Sequence, residues 1–197
     1  MIELLTGMYD QGWEGHIGWF ESRQKKLREF IRGLYPVNLI EIGFNMGHSC
    51  KLICDVILEL KRNNVNYEGI EVNFYVFDIC SYGCVESNFK ILQEYYRNNN
   101  IKLSLIQGSS LDTVEPFLRD FDSLFDFIEI DGLHTSDGVY EDIIHTYEKI
   151  RRGGIIYVDD YKSTEIPCPQ IEEGVNRVNW DKYDINNING VFWGVKQ

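Results

Sequence analysis

Apolar residues along this 197-residue chain change their spacing several times, and each change predicts an element. Over residues 19–33, Phe20, Leu27, Phe30 and Ile31 fall at helical spacing, with Arg and Lys between them. Leu34 extends the stripe, and Gly33 and Pro36 close an amphipathic helix. Residues 38–43 form a short apolar run ending in glycine, the mark of a strand. Residues 50–61 return to helical spacing, with Leu52, Ile53, Val56, Ile57 and Leu60 inward. The polar stretch 62–71 reads as a loop. Strands are predicted at 74–78, 101–106, 125–130 and 155–158. Helices are predicted at 85–96 and 139–150, with 112–121 helical in part and 97–100 a polar turn. Near the end, 183–185 and 191–195 flank an Asn-rich stretch closed by Gly190, the pattern of a hairpin.

Strands that alternate with helices imply a parallel sheet covered on both faces, here a doubly wound α/β fold. The closing antiparallel hairpin sets it apart from most dinucleotide-binding domains. The length fits one domain, in the usual range of ~100–200 residues. With 44% apolar and 14% aromatic residues, the chain has the material for a core. No linker, internal repeat or low-complexity tract interrupts it beyond short Asn clusters.

Charge and cysteines narrow the function classes. A formal net charge of −12 argues against gripping nucleic-acid phosphates and against an anionic membrane. Five cysteines are an odd number, the start of the chain does not read as a signal peptide, and no apolar run reaches the ~20 residues of a membrane span. The expectation is a cytoplasmic, reducing compartment with free thiols. The pairs Cys50/Cys54 and Cys80/Cys84 have a spacing that zinc ligands use. Small core thiols on a helix turn are the plainer reading.

In an open α/β sheet, ligands bind at the carboxyl ends of the strands. The predicted strands end at Gly43, Asp78, Gly108-Ser109-Ser110, Asp131 and Asp159-Asp160. One such carboxylate is readily a helix N-cap, but four on one rim point to a ligand. The segment holding Glu41, Gly43, Asn45, Gly47 and Ser49 joins the first strand to the next helix. Its glycines permit a tight turn and close backbone approach. Free N–H groups at the helix start can hold a carboxylate, with Ser49 adding a hydroxyl; a purely structural turn is the competing reading. The loop lacks the glycine fingerprint of dinucleotide sites and the lysine of a phosphate-binding loop. Asp78 is placed to accept two hydrogen bonds from a ribose diol, or to cap the following helix.

The most specific signal is Asp131-Gly132-Leu133-His134 together with Gly153-Gly154-Ile155-Ile156-Tyr157-Val158-Asp159-Asp160-Tyr161. Asp131, Asp159 and Asp160 then converge. Three crowded carboxylates repel unless a cation sits among them or one is protonated. Such an oxygen-rich site suits Mg²⁺; a metal-free site that only orients a ligand is the alternative. His134 lies three residues beyond Asp131, and its ordinary pKa near ~6.5 suits a general base for a hydroxyl. A loop or helix-cap histidine is the plainer reading.

These motifs resemble the class I S-adenosylmethionine-dependent methyltransferases. Within them the sequence is similar to the small-molecule O-methyltransferases related to the macrocin, mycinamicin, catechol and caffeoyl-CoA enzymes. The resemblance spans roughly residues 36–165. It rests on Glu41, Gly43, Gly47 and Ser49, on the Asp131-to-His134 element, and on the Gly153-to-Tyr161 element. It implies a Rossmann-like, mostly parallel seven-stranded sheet with helices on both faces and a C-terminal antiparallel hairpin. A single methyltransferase domain over 1–197 is expected, with a lid or helix region at 1–35, a cofactor-binding core at 36–165, and a helix and hairpin at 166–197.

The resemblance also implies roles. Gly43 and Ser49 would hold the methionine part of S-adenosylmethionine, within a loop that includes Glu41, Asn45 and Gly47. Asp78 would take the ribose, and Gly108, Ser109 and Ser110 would lie by the adenine. Asp131, Asp159 and Asp160 would bind Mg²⁺ or another divalent cation, and His134 would be the base, a position where catechol-type enzymes carry lysine. The expected reaction is methyl transfer to a hydroxyl of a sugar, vicinal diol or catechol, assisted by the metal. Alternatives are a metal-independent N-methyltransferase acting on an amine and a non-catalytic, cofactor-binding partner subunit. A homodimer is one expectation for an enzyme of this size. The segment 7–19, rich in Gly, Trp, His and Tyr, is read as a lid or acceptor pocket, or as plain surface packing. Trp180 and Trp193 are read as core.

Overall fold

A computed structural model of the protein describes residues 20–197. The lid reading of 7–19 and the start of the first predicted helix lie outside the described residues. The elements run, in chain order, α1 (Glu21–Leu34), β1 (Asn38–Ile42), α2 (His48–Asn63), α3 (Val65–Glu68), β2 (Val72–Asp78), α4 (Val85–Tyr96), β3 (Ile101–Gln107), α5 (Ser110–Arg119), β4 (Phe125–Ile130), α6 (Ser136–Tyr147), β5 (Ile150–Tyr161), α7 (Pro169–Asn176), β6 (Tyr183–Ile188) and β7 (Gly190–Lys196). The seven strands form one sheet in the order β3-β2-β1-β4-β5-β7-β6. Strands β1 to β5 pair in parallel, and β7 runs antiparallel to both β5 and β6.

Strand alternation divides the core in two. Leu39, Phe74, Phe127 and Tyr157 pack with α1, α2 and α4 on one face. Ile40, Ile128, Ile156 and Val158 pack with α5, α6 and α7 on the other. A strand buried on both faces reads as a nearly unbroken apolar run. Cys50 and Cys54 lie buried in the first of these cores. Trp193 is buried there too, and Trp180 packs against Phe192 with its indole N–H donated to the Val175 carbonyl. Among the described residues no helix is long and apolar enough to cross a membrane.

The structure moves several predicted boundaries. Part of the predicted loop 62–71 is helical, since α2 runs to Asn63 and α3 follows it. Asn64 ends α2 in an extended conformation, and its side chain accepts the Asn66 N–H, which starts α3. Strand β5 begins at Ile150 rather than 155, and α6 ends at Tyr147. Gly153 and Gly154 therefore lie within β5 and do not stop the helix. They coincide with a register shift against β4 between Phe125 and Phe127, the position where glycine accommodates a bulge. The hairpin is also tighter than predicted, with Asn189 alone between β6 and β7.

Candidate active site

The carboxyl ends of β1 to β5 open onto a cleft of about 500 Å³, within the range of small-molecule sites. On its wall stand Gly43 and Asn45 from β1, Asp78 from β2, and Gly108, Ser109 and Ser110 from β3. Asp131 and His134 from β4 and Asp160 from β5 complete it. Glu41, Gly47, Ser49 and Asp159 do not line the cleft but lie beneath or behind it.

Gly43 holds the loop onto β4. Its φ is 95°, a conformation that L side chains rarely adopt, and a Cβ there would overlap the Asp131 carbonyl. The next two amides, of Phe44 and Asn45, both donate to Asp78 Oδ2, at 2.8 and 3.0 Å. Asp78 Oδ1 accepts the Cys80 N–H at 2.6 Å. A carboxylate has about four acceptor positions, so the loop amides and Cys80 take up three of those of Asp78. Asp78→Ala is expected to weaken cofactor binding about ten- to a hundredfold, since hydrogen bonds to a charged group are each worth ~1.5–3 kcal/mol. Titration calorimetry with S-adenosylhomocysteine reads this directly, and unchanged affinity would show that the loop holds its shape without the carboxylate.

Ser49 lies off the wall, and its hydroxyl donates inward to Glu41 Oε1. Gly47 takes φ 84° at the start of α2 and packs on the Phe44 ring. The floor is a row of acids: Glu41 pairs in register with Glu129, and Glu129 with Tyr157. Both glutamates are buried, each with an unpartnered Oε2. Burial pushes the Glu41 carboxyl up to about 8, against the lowering effect of the Ser49 hydroxyl. Glu129 is also raised by burial, and further by Glu41. Glu41 is thus largely neutral near pH 7.

His134 Nε2 lies 3.0 Å from Asp131 Oδ1, and its Nδ1 is 3.9 Å from Asp160 Oδ2. The bond to Asp131 raises the imidazole to about 9, against the lowering effect of burial. Asp131 is itself raised by burial, a shift that His134 opposes.

Asp159 and Asp160 meet Arg23, a charged residue of the amphipathic helix α1. Arg23 of α1 is 1% exposed. Its Nη1 donates to Asp159 Oδ1 at 3.1 Å and to Asp160 Oδ1 at 2.6 Å. Adjacent strand residues normally point to opposite faces. Here the register of β5 against β7 shifts between Asp159 and Tyr161, and Asp160 takes φ 55°. This bulge lets both carboxylates reach one guanidinium. A signal for Arg23 was present, because it sits three residues after Phe20 and four before Leu27, on the apolar stripe of α1.

A family profile described as a methyltransferase domain matches residues 40–161. The chain belongs to the methyltransferase family. Its class is that of S-adenosylmethionine-dependent methyltransferases. No curated protein matches this methyltransferase in sequence. Solved structures resemble it in fold. CalS11, a TDP-rhamnose 3′-O-methyltransferase of calicheamicin biosynthesis, is 14% identical with a TM-score of 0.70, over 88% of this chain and 76% of that one. The SAH-bound methyltransferase PaMTH1 of Podospora anserina is 15% identical with a TM-score of 0.64, over 89% and 78%. An O-methyltransferase of Bacillus cereus in complex with SAH is 14% identical with a TM-score of 0.62, over 89% and 81%.

The cleft suits the methyl donor. Asn45 Oδ1 is buried on its wall without a partner, an acceptor matched to the ammonium of a methionine moiety. The expected magnesium set fits less well. Asp159 and Asp160 both hold Arg23, whereas the atoms that do approach within 4.8 Å of one another belong to Asp131, His134 and Asp160. Imidazole suits Zn, Cu, Fe or Ni better than Mg²⁺, which takes oxygen ligands. A cation brought beside the guanidinium also meets repulsion of about 4 kcal/mol per unit-charge pair at ~4 Å and an effective dielectric of 20. Among the described residues, the three carboxylates expected to bind Mg²⁺ are thus shared between two arrangements: Asp159 and Asp160 pair with Arg23, while Asp131 and Asp160 stand with His134.

Proposed function

We propose that this enzyme transfers a methyl group to a hydroxyl of a small molecule, such as a sugar or catechol ring, with His134 as the base. The observation that carries this reading is the His134–Asp131 contact on the wall of the cleft that the Gly43 loop also lines. When bound, S-adenosylmethionine supplies a sulfonium methyl that the acceptor oxygen attacks in line, the sulfur keeping the electron pair of the broken bond.

The chain's own groups do the rest. Asp131 fixes the imidazole with its Nε2–H toward the carboxylate, so that once His134 loses its proton, near pH 9, Nδ1 is left to take the hydroxyl proton. The loop around Gly43, pinned by Asp78, and the β3 turn at Gly108 to Ser110 fix the donor, so that donor and acceptor meet in line. The names of the structural neighbours support a hydroxyl acceptor, and CalS11 acts on a sugar nucleotide. Magnesium assistance is left out of the proposed reaction, because Asp159 and Asp160, two of the expected ligands, both pair with Arg23.

Titration calorimetry with S-adenosylhomocysteine is the first test, and micromolar binding is expected. A folded protein that fails to bind it would end the reading. An acceptor screen then separates hydroxyls from amines, and turnover on amines alone would move the enzyme to N-methyl transfer.

A further inference from the structure

The guanidinium of Arg23 is held from several elements at once. Besides Asp159 and Asp160, Ser163 Oγ accepts its Nη2–H at 2.8 Å. The Phe20 ring centroid lies 4.1 Å from its Cζ. Gly190, at the start of β7, leaves the space that Arg23 fills, since a Cβ there would stand 2.5 Å from the Arg23 Cζ. As a device for stability alone this arrangement is a weak choice: a buried ion pair is often no better than apolar packing of the same volume. It stands, moreover, at the rim of the cleft, where Asp160 contributes to the wall.

We propose that Arg23 is the resident cation of this acidic site, a tethered guanidinium that occupies the electrostatic place of a divalent metal and excludes the metal from it. The exclusion follows from the charge of Arg23 and its contacts with Asp159 and Asp160. That methyl transfer then runs without a metal rests on the function proposed above. A metal with open positions can chelate two neighbouring acceptor oxygens, whereas this guanidinium already donates to three protein oxygens and has no open coordination positions to offer the acceptor. The acceptor class is accordingly wider than vicinal diols and catechols: a single isolated hydroxyl suffices.

The test is Mn²⁺ titration of the full-length protein, followed by electron paramagnetic resonance of the free ion. The wild type is expected to take up no Mn²⁺ stoichiometrically below millimolar concentration. Arg23→Gln is expected to gain one site, tighter by roughly 100-fold or more once the like charge is gone. Arg23→Lys keeps a cation and should gain none. Adding Asp159→Asn to Arg23→Gln should remove the acquired site. Micromolar uptake of one Mn²⁺ by the wild type, through Asp131, His134 and Asp160 or otherwise, overturns the proposal. A folded Arg23→Gln that gains no site overturns it too. Should Arg23→Gln not fold, the wild-type titration decides alone.

S-adenosylhomocysteine affinity in the same samples reports separately on methyl transfer. If that affinity is absent while Mn²⁺ is still excluded, the functional reading falls and the role of Arg23 stands. With binding present, equal turnover of a mono-hydroxyl acceptor in excess chelator and in Mg²⁺ is expected, and loss of turnover in chelator overturns the proposal.

Discussion

His134→Ala is expected to lower kcat by ~10²–10⁴, the usual worth of a positioned general base, with little change in S-adenosylhomocysteine affinity. The companion observation is the pH profile. Below its pKa the imidazole is already protonated and cannot accept the hydroxyl proton, so activity should rise with pH until His134 loses its proton near 9. In Asp131→Asn the neighbouring charge is gone, and the rising limb should move down toward the ordinary imidazole value of ~6.5. The same pair has a signature in stability. The folded-state value is raised above the unfolded one, so its contribution is complete below ~6.5 and is lost as pH climbs through about 9. If the alanine variant kept the wild-type rate and profile, the proton would leave by another route.

Gly43→Ala is expected to be the most damaging single methyl addition in the cofactor loop. The new Cβ would overlap the Asp131 carbonyl oxygen and stand 2.6 Å from its carbon, with the backbone at φ 95°. Neither side can retreat easily, because the Asp131 N–H donates to the Ile42 carbonyl at 2.8 Å and ties the ends of β1 and β4 together. A loss of about 3–5 kcal/mol is expected. For a chain of this size that lowers Tm by roughly 10 °C, and S-adenosylhomocysteine binding should go with it. Gly33→Ala is the control: it has open space around its Cα and lies in α1, where alanine is the better helix former. It should leave binding unchanged and raise stability slightly. Thermal melts and calorimetry on the two variants decide the matter, and a Gly43→Ala protein as stable as wild type would mean that the loop can be rebuilt around β4.

The class of fold and the rim on which the site sits follow from the order of residues along the chain. Both are local properties. Alternation and helical spacing follow from which side of an element is buried, so α1, α2, α4 and the strands could be read within a few residues. A glycine or carboxylate that ends a strand is visible without knowing what it faces, and so Gly43, Asp78, Gly108 and the Asp131–His134 element were visible as well.

Which of these groups face one another is set by packing between remote elements. Asp159 and Asp160 are neighbours in any reading, but a β-bulge against β7 turns both toward one point, and that bulge depends on a strand about thirty residues further on. The cation at that point comes from α1, 136 residues before Asp159 in the chain. Nothing local to the Asp-Asp-Tyr motif announces an arginine so far away. Ser49 is similar: its hydroxyl turns to Glu41 because the carboxylate of β1 lies buried beneath the loop. Partner choice among polar groups is settled by distances of a few ångströms between elements remote in sequence, whereas burial of an apolar stripe is settled along the element itself. For that physical reason the methyltransferase frame was open to reading from the sequence, while the pairing of Arg23 with the acidic cluster was not.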